Sequence, residues 1–208
     1  MKKILIAIPC MDMVACGFAQ SLATLNKVGE CSVSFIVGSL IYDSRNKLAS
    51  QALEMGADYV MWFDSDMVFQ PDTLVKLMAD IDEGRDMVSG LYFRRTKPFT
   101  PVLFSKLELN EQGEPEHAGY DNYPNEIFEI AGCGFGCVLM KVDMLFDMAT
   151  EYGAVWFSPI GNIGEDCAFC IRARDMGYKI YCDPQVKLGH VGHNMITESF
   201  YKAYKGNE

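Results

Sequence analysis

Nine residues set the terms for the fold: Tyr59-Val60-Met61-Trp62-Phe63-Asp64-Ser65-Asp66-Met67 is an apolar run that stops abruptly in two acids one residue apart. So short a run of β-branched and aromatic residues specifies a buried strand, and the C-terminal edge of such a strand is where open α/β sheets gather ligand chemistry. Two carboxylates there attract a cation. In an extended or tightly turned D-x-D both can face one hard divalent ion, a species suited to neutralising phosphate. The same acids also suit the turn that ends a strand, and the local sequence does not choose between these roles.

The surrounding chain supplies context. Lys3 to Ile8 reads as a first buried strand stopped by Pro9, whose missing N–H suits an exit from a sheet. From about Asp12 to Lys27, Val14, Phe18, Leu22 and Leu25 recur at helical steps, with Gly29 as a C-terminal cap. Ser32 to Val37 is a second strand. Asp43 or Ser44 caps the next helix, whose Leu48, Ala52 and Met55 share a face and which ends at Gly56. This places Arg45 and Asn46 in its first turn, where a cation opposes the helix dipole; a diphosphate or an acid beside Arg45 would relieve that mismatch, and so would solvent. After Asp66, Gln70-Pro71-Asp72 opens a helix with Leu74, Leu77, Met78 and Ile81 inward, and Met87 to Tyr92 is again strand-like. Alternation of this kind predicts βαβ units and a mostly parallel sheet, with residues 1–95 as a nucleotide-type half.

Beyond Arg94-Arg95 the pattern changes. Val102 to Leu109 reads as a strand, a polar loop with Glu111, Gly113, Glu114, Pro115 and Glu116 follows, and Ile127 to Ala131 and Phe135 to Lys141 are further strands. Gly132-Cys133-Gly134 between them offers bare backbone for a close approach by ligand. Val142 to Thr150 reads as helix. Glu165 and Asp166 start another helix, which carries Phe169, Ile171, Ala173 and Met176 and ends at Gly177; acids are favoured at such a start. Tyr178 to Cys182 and Val186 to Leu188 are short strands separated by a turn at Asp183-Pro184. His190 and His193 then fall in a glycine-framed loop, and a peripheral helix from Ile196 to Tyr204 precedes the final residues. No flexible linker divides the chain, so a single domain is expected, with residues 96–195 as a second half and 196–208 as a tail.

Composition narrows the function. Eighteen lysines and arginines against 28 acids give a formal net charge of −10, which argues against nucleic acid as the main partner. Met1 to Pro9 holds two lysines and only five apolar residues before proline, too short for a secretory core. No run approaches the roughly 18–20 apolar residues a membrane span needs. A soluble, cytoplasmic protein is therefore expected, while its oligomeric state is not legible. Among eight cysteines, Cys133 with Cys137 and Cys167 with Cys170 have spacings that invite a zinc test. Their apolar surroundings favour buried free thiols instead.

Taken in order, the strand Ile4-Leu5-Ile6-Ala7-Ile8-Pro9, the Ser44-Arg45-Asn46 segment, Phe63-Asp64-Ser65-Asp66 with Pro71 behind it, Gly132 to Gly136, Gly164-Glu165-Asp166 and the late His190 resemble a GT-A type glycosyltransferase of the family 2 kind. The resemblance spans nearly the whole chain and is weakest over residues 96–130. It implies an α/β, Rossmann-like fold with a mixed, mostly parallel sheet flanked by helices. It also implies a transferase of hexosyl type acting on a nucleotide-diphosphate sugar, UDP- or GDP-linked, and a saccharide or other hydroxyl acceptor. Carried over residue by residue, Ile8, Pro9 and Cys10 would approach the nucleobase and ribose, Arg45 the diphosphate, and Ser65 the donor. Asp64 and Asp66 would bind Mn2+ or Mg2+. His190 would add a late metal or diphosphate contact, with His193 as its substitute. In inverting members the acid matching Asp166 is the general base, supported by Glu165. No base-side acid is evident near the second strand, so the nucleotide stays open.

Two rivals deserve statement. A phosphohydrolase of the haloacid dehalogenase type would use Asp64 as nucleophile and Asp66 as acid/base, but that motif belongs on a first strand and here two strands precede it. A binding protein that keeps nucleotide-sugar affinity without transfer would share the donor residues.

Overall fold

The computed structural model describes residues 1–192 and 195–206. Along the chain run β1 (Lys3–Cys10), α1 (Cys16–Thr24), β2 (Glu30–Val37), α2 (Ile41–Glu54), β3 (Tyr59–Phe63), β4 (Met67–Val68), α3 (Thr73–Asp82) and β5 (Met87–Leu91). The second half contributes β6 (Leu103–Leu109), β7 (Pro115–Gly119), β8 (Phe128–Ile130), β9 (Gly132–Cys133), β10 (Cys137–Lys141) and α4 (Asp143–Tyr152). It continues with α5 (Glu165–Asp175), β11 (Ile180–Lys187), β12 (Gly189–Val191), β13 (Met195–Ile196) and α6 (Glu198–Lys205). A seven-stranded sheet in the order β2-β1-β3-β10-β5-β11-β8 forms the centre. Strands β1, β2, β3, β5 and β11 run one way, and β10 and β8 run against them. This is the mixed, mostly parallel α/β sheet that the alternation of the first half predicts.

Both faces of the sheet are covered. Leu5, Ala7, Val60 and Trp62 pack with Leu48 and Ala52 of α2, while Ile4, Ile6, Met61 and Phe63 pack with Phe18 of α1 and Leu74 and Leu77 of α3. Period-two strands thus feed two separate apolar layers, and burying each large side chain is worth about 1.5–3 kcal/mol. Cys133 belongs to the first layer and Cys137 to the second.

Several elements depart from the sequence expectation. Strand β2 starts at Glu30 rather than Ser32 and lies at the sheet edge, with Val33, Phe35 and Val37 at 39%, 41% and 59% exposure. Helix α1 ends at Thr24, and Gly29 leads into β2 instead of capping it: φ is 69°, and a Cβ there would lie 2.3 Å from the Lys2 carbonyl oxygen. Pro71 precedes α3 rather than sitting in its first turn. The polar loop after Leu109 contains β7, which pairs antiparallel with β6. Asp183-Pro184 is no turn between strands. β11 runs through it, its register shifting between Asp183 and Lys187, and the Asp183 side chain accepts the Gln185 N–H at 2.8 Å. A bulge is where a sheet tolerates a residue that cannot donate.

That irregularity brings Asp183 near Asp80 of α3. Burial first, and then the Asp183 charge, raise the Asp80 carboxyl from 3.8 to about 6. Its Oδ2 is buried with no hydrogen-bond partner. A raised carboxyl binds its proton more tightly in the native state, so stability is lost as pH rises from about 4 through 6. A rise from 3.8 to about 6 corresponds to about 3 kcal/mol, which solvent screening at this half-buried group reduces to about 1 kcal/mol. Asp80→Asn is therefore expected to raise the unfolding free energy at pH 7.5 by about that amount and to give no gain at pH 4, as followed by urea melts.

Candidate active site at the strand edge

The C-terminal ends of β1, β3 and β5 and the start of antiparallel β10 meet at one edge. There Asp64 N–H donates to the Gly136 carbonyl at 3.2 Å, and Met67 N–H closes a turn onto the Asp64 carbonyl at 3.1 Å. The turn releases the chain into β4, against which β12 pairs with His190 opposite Met67. Val191 N–H donates to the Asp66 carbonyl at 2.9 Å. Backbone pairing, not loop flexibility, thus brings His190 beside Asp66, and the histidine lies in a short strand rather than a glycine-framed loop.

His190 Nδ1 is 2.8 Å from the Phe93 carbonyl oxygen. A carbonyl only accepts, so Nδ1 carries a proton and Nε2 is left to face Asp66 Oδ2, 3.5 Å away. Arg95 Nη1 reaches that same oxygen at 2.8 Å. Burial is the largest single influence on the Asp66 carboxyl and pushes it upward, but His190 and Arg95 together bring it below the usual carboxylate range.

Arg45 occupies the middle of the site. Helix α2 starts at Ile41 with no side-chain cap, three residues before Ser44, so Arg45 falls in the second turn and not the first. Asp43 takes the first-turn place that the dipole favours for an acid. Arg45 is 2% exposed. Its Nη2 donates to Asp64 Oδ1 at 2.8 Å and its Nε lies 3.5 Å from Glu165 Oε1. The Trp62, Phe135 and Phe157 rings surround the guanidinium at 6.0, 5.3 and 5.8 Å. Burial alone would lower its pKa, but the charges of Asp64, Glu165 and Asp166 together raise it. The Nε and Nη1 atoms are buried without hydrogen-bond partners. Next to it, Asn46 accepts the Phe157 N–H at 2.8 Å and anchors the segment leading to α5.

Glu165 and Asp166 form the first turn of α5. Arg172, near the far end of the same helix, ties down the preceding segment by donating to the Trp156 and Ser158 carbonyls at 3.0 and 2.7 Å. Burial, then the Asp166 charge, raise the Glu165 carboxyl, and Arg45 opposes them. Asp166 Oδ1 accepts the Cys167 N–H at 2.7 Å, and the residue lines the cleft.

The glycines at 132, 134 and 136 serve packing rather than ligand approach. A Cβ at Gly134 would lie 2.3 Å from Tyr92 Oη, one at Gly136 2.8 Å from Tyr92 Cζ, and one at Gly132 2.5 Å from Leu107 Cδ2. The Tyr92 hydroxyl accepts the Gly136 N–H at 3.0 Å.

Pro9, Cys10, Arg45, Asp64, Ser65, Asp66, Glu165, Asp166 and His190 all line one cleft of about 660 Å³. Ile8 does not: it is fully buried in the sheet, one residue short of the edge. His193 lies outside the described residues. Tyr92 and Arg95 also line the cleft and were missed; Tyr92 directly follows β5 as Asp64 directly follows β3, which was the available signal, and Arg95 comes three residues later. No group of three or more histidine, cysteine, aspartate or glutamate side chains is arranged to hold a metal among the described residues. Nor is any helix among them long and apolar enough to cross a membrane.

The fold is similar to the crystal structure of A197 from STIV, with a TM-score of 0.65 at 20% sequence identity over 95% of this chain and 94% of that one. At that identity the likeness is one of fold. No curated protein matches the chain. A sequence profile described as glycosyl transferase family 2 matches residues 41–146, from the start of the Arg45 helix through the D-x-D and the glycine segment into α4. That family implies a glycosyltransferase drawing on a nucleotide-sugar donor and a separate acceptor, and it does not favour the phosphohydrolase alternative. With half its length matched and its central sheet arranged as a GT-A, Rossmann-like fold, the chain belongs to glycosyl transferase family 2.

Proposed function

We propose that the protein transfers a hexose from a UDP- or GDP-linked donor to a hydroxyl acceptor, with inversion and with the help of a divalent ion. The observation that carries this reading is that one cleft is lined by the Asp66–His190 pair and by Asp166, with Arg45 pairing the neighbouring Asp64 and Glu165. Residues 1–95 would supply most of the donor contacts, with Pro9 and Cys10 on the nucleobase side and Ser65 toward the phosphates. Residues 96–195 would supply the acceptor side, and 196–208 a tail.

The residues present fit Mn2+ or Mg2+. Nδ1 of His190 faces the Phe93 carbonyl, which leaves Nε2 toward Asp66 Oδ2 at 3.5 Å, and an imidazole nitrogen beside a carboxylate oxygen is a donor pair that a divalent ion accepts. Asp66 and His190 would hold the ion. Asp64, its Oδ1 paired with Arg45, would be the lesser contributor. When bound, a divalent ion neutralises charge that develops on the leaving diphosphate. Asp166 Oδ2 takes the acceptor hydroxyl proton as the acceptor oxygen forms its bond to the anomeric carbon. The bond from that carbon to the diphosphate oxygen breaks, and its electron pair leaves with the diphosphate. Glu165 and Arg45 keep the Asp166 end of α5 in place.

The test is thermal melting with Mn2+ and a panel of UDP-, GDP-, CDP- and dTDP-sugars. A matching donor at about 100 times its Kd should add about 2.7 kcal/mol, or roughly 5–10 °C, and Asp66→Ala should lose the Mn2+-dependent part. A panel that shifts nothing, or a shift unchanged in Asp66→Ala, would contradict the proposal.

A further inference from the structure

The cleft contains two arginines in opposite situations. Arg45 is fixed, with its side chain 3% exposed and enclosed by aromatic rings. Arg95 is half exposed, at 50%, on the segment that follows β5. Its stem runs over Gly192, where a Cβ would come within 3.3 Å of Arg95 Cδ, and its Nη1 also lies 3.5 Å from the Val191 carbonyl oxygen. Further along the same segment Phe99 rests edge-on against Phe200 and Tyr204 of α6. Arg95 is therefore held at its root while its head is in water.

What that head touches matters. Arg95 Nη1 and His190 Nε2 address the same oxygen, Asp66 Oδ2, at 2.8 and 3.5 Å. A divalent ion held by Asp66 and His190 would meet the guanidinium already there, and two cations on one carboxylate oxygen repel. An exposed pair of this sort is weak, so displacing it is easy. A displaced guanidinium needs an acceptor, and a diphosphate offers oxygens that match its planar fork. Arg94 beside it makes no ion pair among the described residues.

Resting on the metal-dependent reading of this cleft, we infer that Arg95 couples the ion to the donor: it holds the cation position at Asp66 until a diphosphate arrives to take its guanidinium. Metal and diphosphate then bind the free protein together more tightly than either binds alone, and the coupling passes through one side chain.

Counting free Mn2+ by electron paramagnetic resonance tests this without any transfer assay. Titrations compare wild type, Arg95→Ala, Arg95→Lys and Arg94→Ala, first with Mn2+ alone and then with UDP or GDP added. Arg95→Ala is expected to bind Mn2+ alone about three- to fivefold more tightly than wild type, and to gain correspondingly less from the nucleotide. Arg95→Lys should stay near wild type. Arg94→Ala removes an equal charge one residue away and should change Mn2+ affinity less than about twofold. Equal Mn2+ affinity in Arg95→Ala and wild type overturns the coupling while leaving the metal reading intact. An equal effect of Arg94→Ala overturns it too, because net charge alone would then explain the gain. Binding of no Mn2+ by any form, with or without the diphosphates, overturns both.

Discussion

Asp166→Asn is expected to lower the transfer rate about 10³-fold while donor affinity stays within about twofold of wild type. The amide keeps the shape of the carboxyl and can still accept the Cys167 N–H through its oxygen, so the first turn of α5 is preserved. What it loses is the ability of Oδ2 to take a proton. In the proposed reading donor binding rests on Asp66, His190 and Pro9, which line the same cleft, and does not need that oxygen. Rate and donor affinity measured on one preparation separate the roles. Transfer retained within tenfold would remove Asp166 as the base, and donor affinity lost along with the rate would make its role structural.

Replacing Arg45 should be the most damaging substitution for stability. Arg45→Met removes the buried cation that faces Asp64, Glu165 and Asp166, and it also gives up contacts with three aromatic rings. Breaking a buried ion pair from one side costs about 3 kcal/mol or more, here a fall in Tm of roughly 6–12 °C. The cost should depend on pH in a definite direction. Burial and Asp166 already raise the Glu165 carboxyl against the pull of Arg45, and without that pull it rises further. A carboxyl raised in the folded state favours folding at low pH and loses that contribution as pH rises. The deficit of Arg45→Met relative to wild type should therefore narrow between pH 7.5 and pH 5. A deficit constant over that range would mean that lost packing, not uncompensated acid, is the cause.

Much of the first half was readable because its periodicity is strong. Val60 to Phe63 are buried as their composition requires, and α3 turns Leu74, Leu77, Met78 and Ile81 inward. The misses have physical origins. All five residues of β7 are exposed, so Pro115 to Gly119 carries no apolar signal. The apolar residues of β2 look like a core strand, yet nothing in their local order shows that β2 lies at an edge. Nor can local pattern show that β10 enters antiparallel between β3 and β5, although that insertion sets the Gly136 carbonyl against Asp64.

The site divides along the same line. Acids ending a strand or opening a helix announce themselves, so Asp64, Asp66, Glu165 and Asp166 were legible. The mismatch of a cation near a helix start drew attention to Arg45, but its burial among Trp62, Phe135 and Phe157 depends on residues up to 112 positions away. Arg95 was passed over because its partner, Asp66, lies 29 residues earlier and is reached only through the sheet edge.

A crystal of the protein soaked with Mn2+ and UDP or GDP tests the central claim most directly. The expected result is an ion bound by Asp66 and His190, the diphosphate against it, the nucleobase toward Pro9 and Cys10, and Asp166 left free on the opposite side. An ion bound elsewhere, or a nucleotide seated outside this cleft, would contradict it.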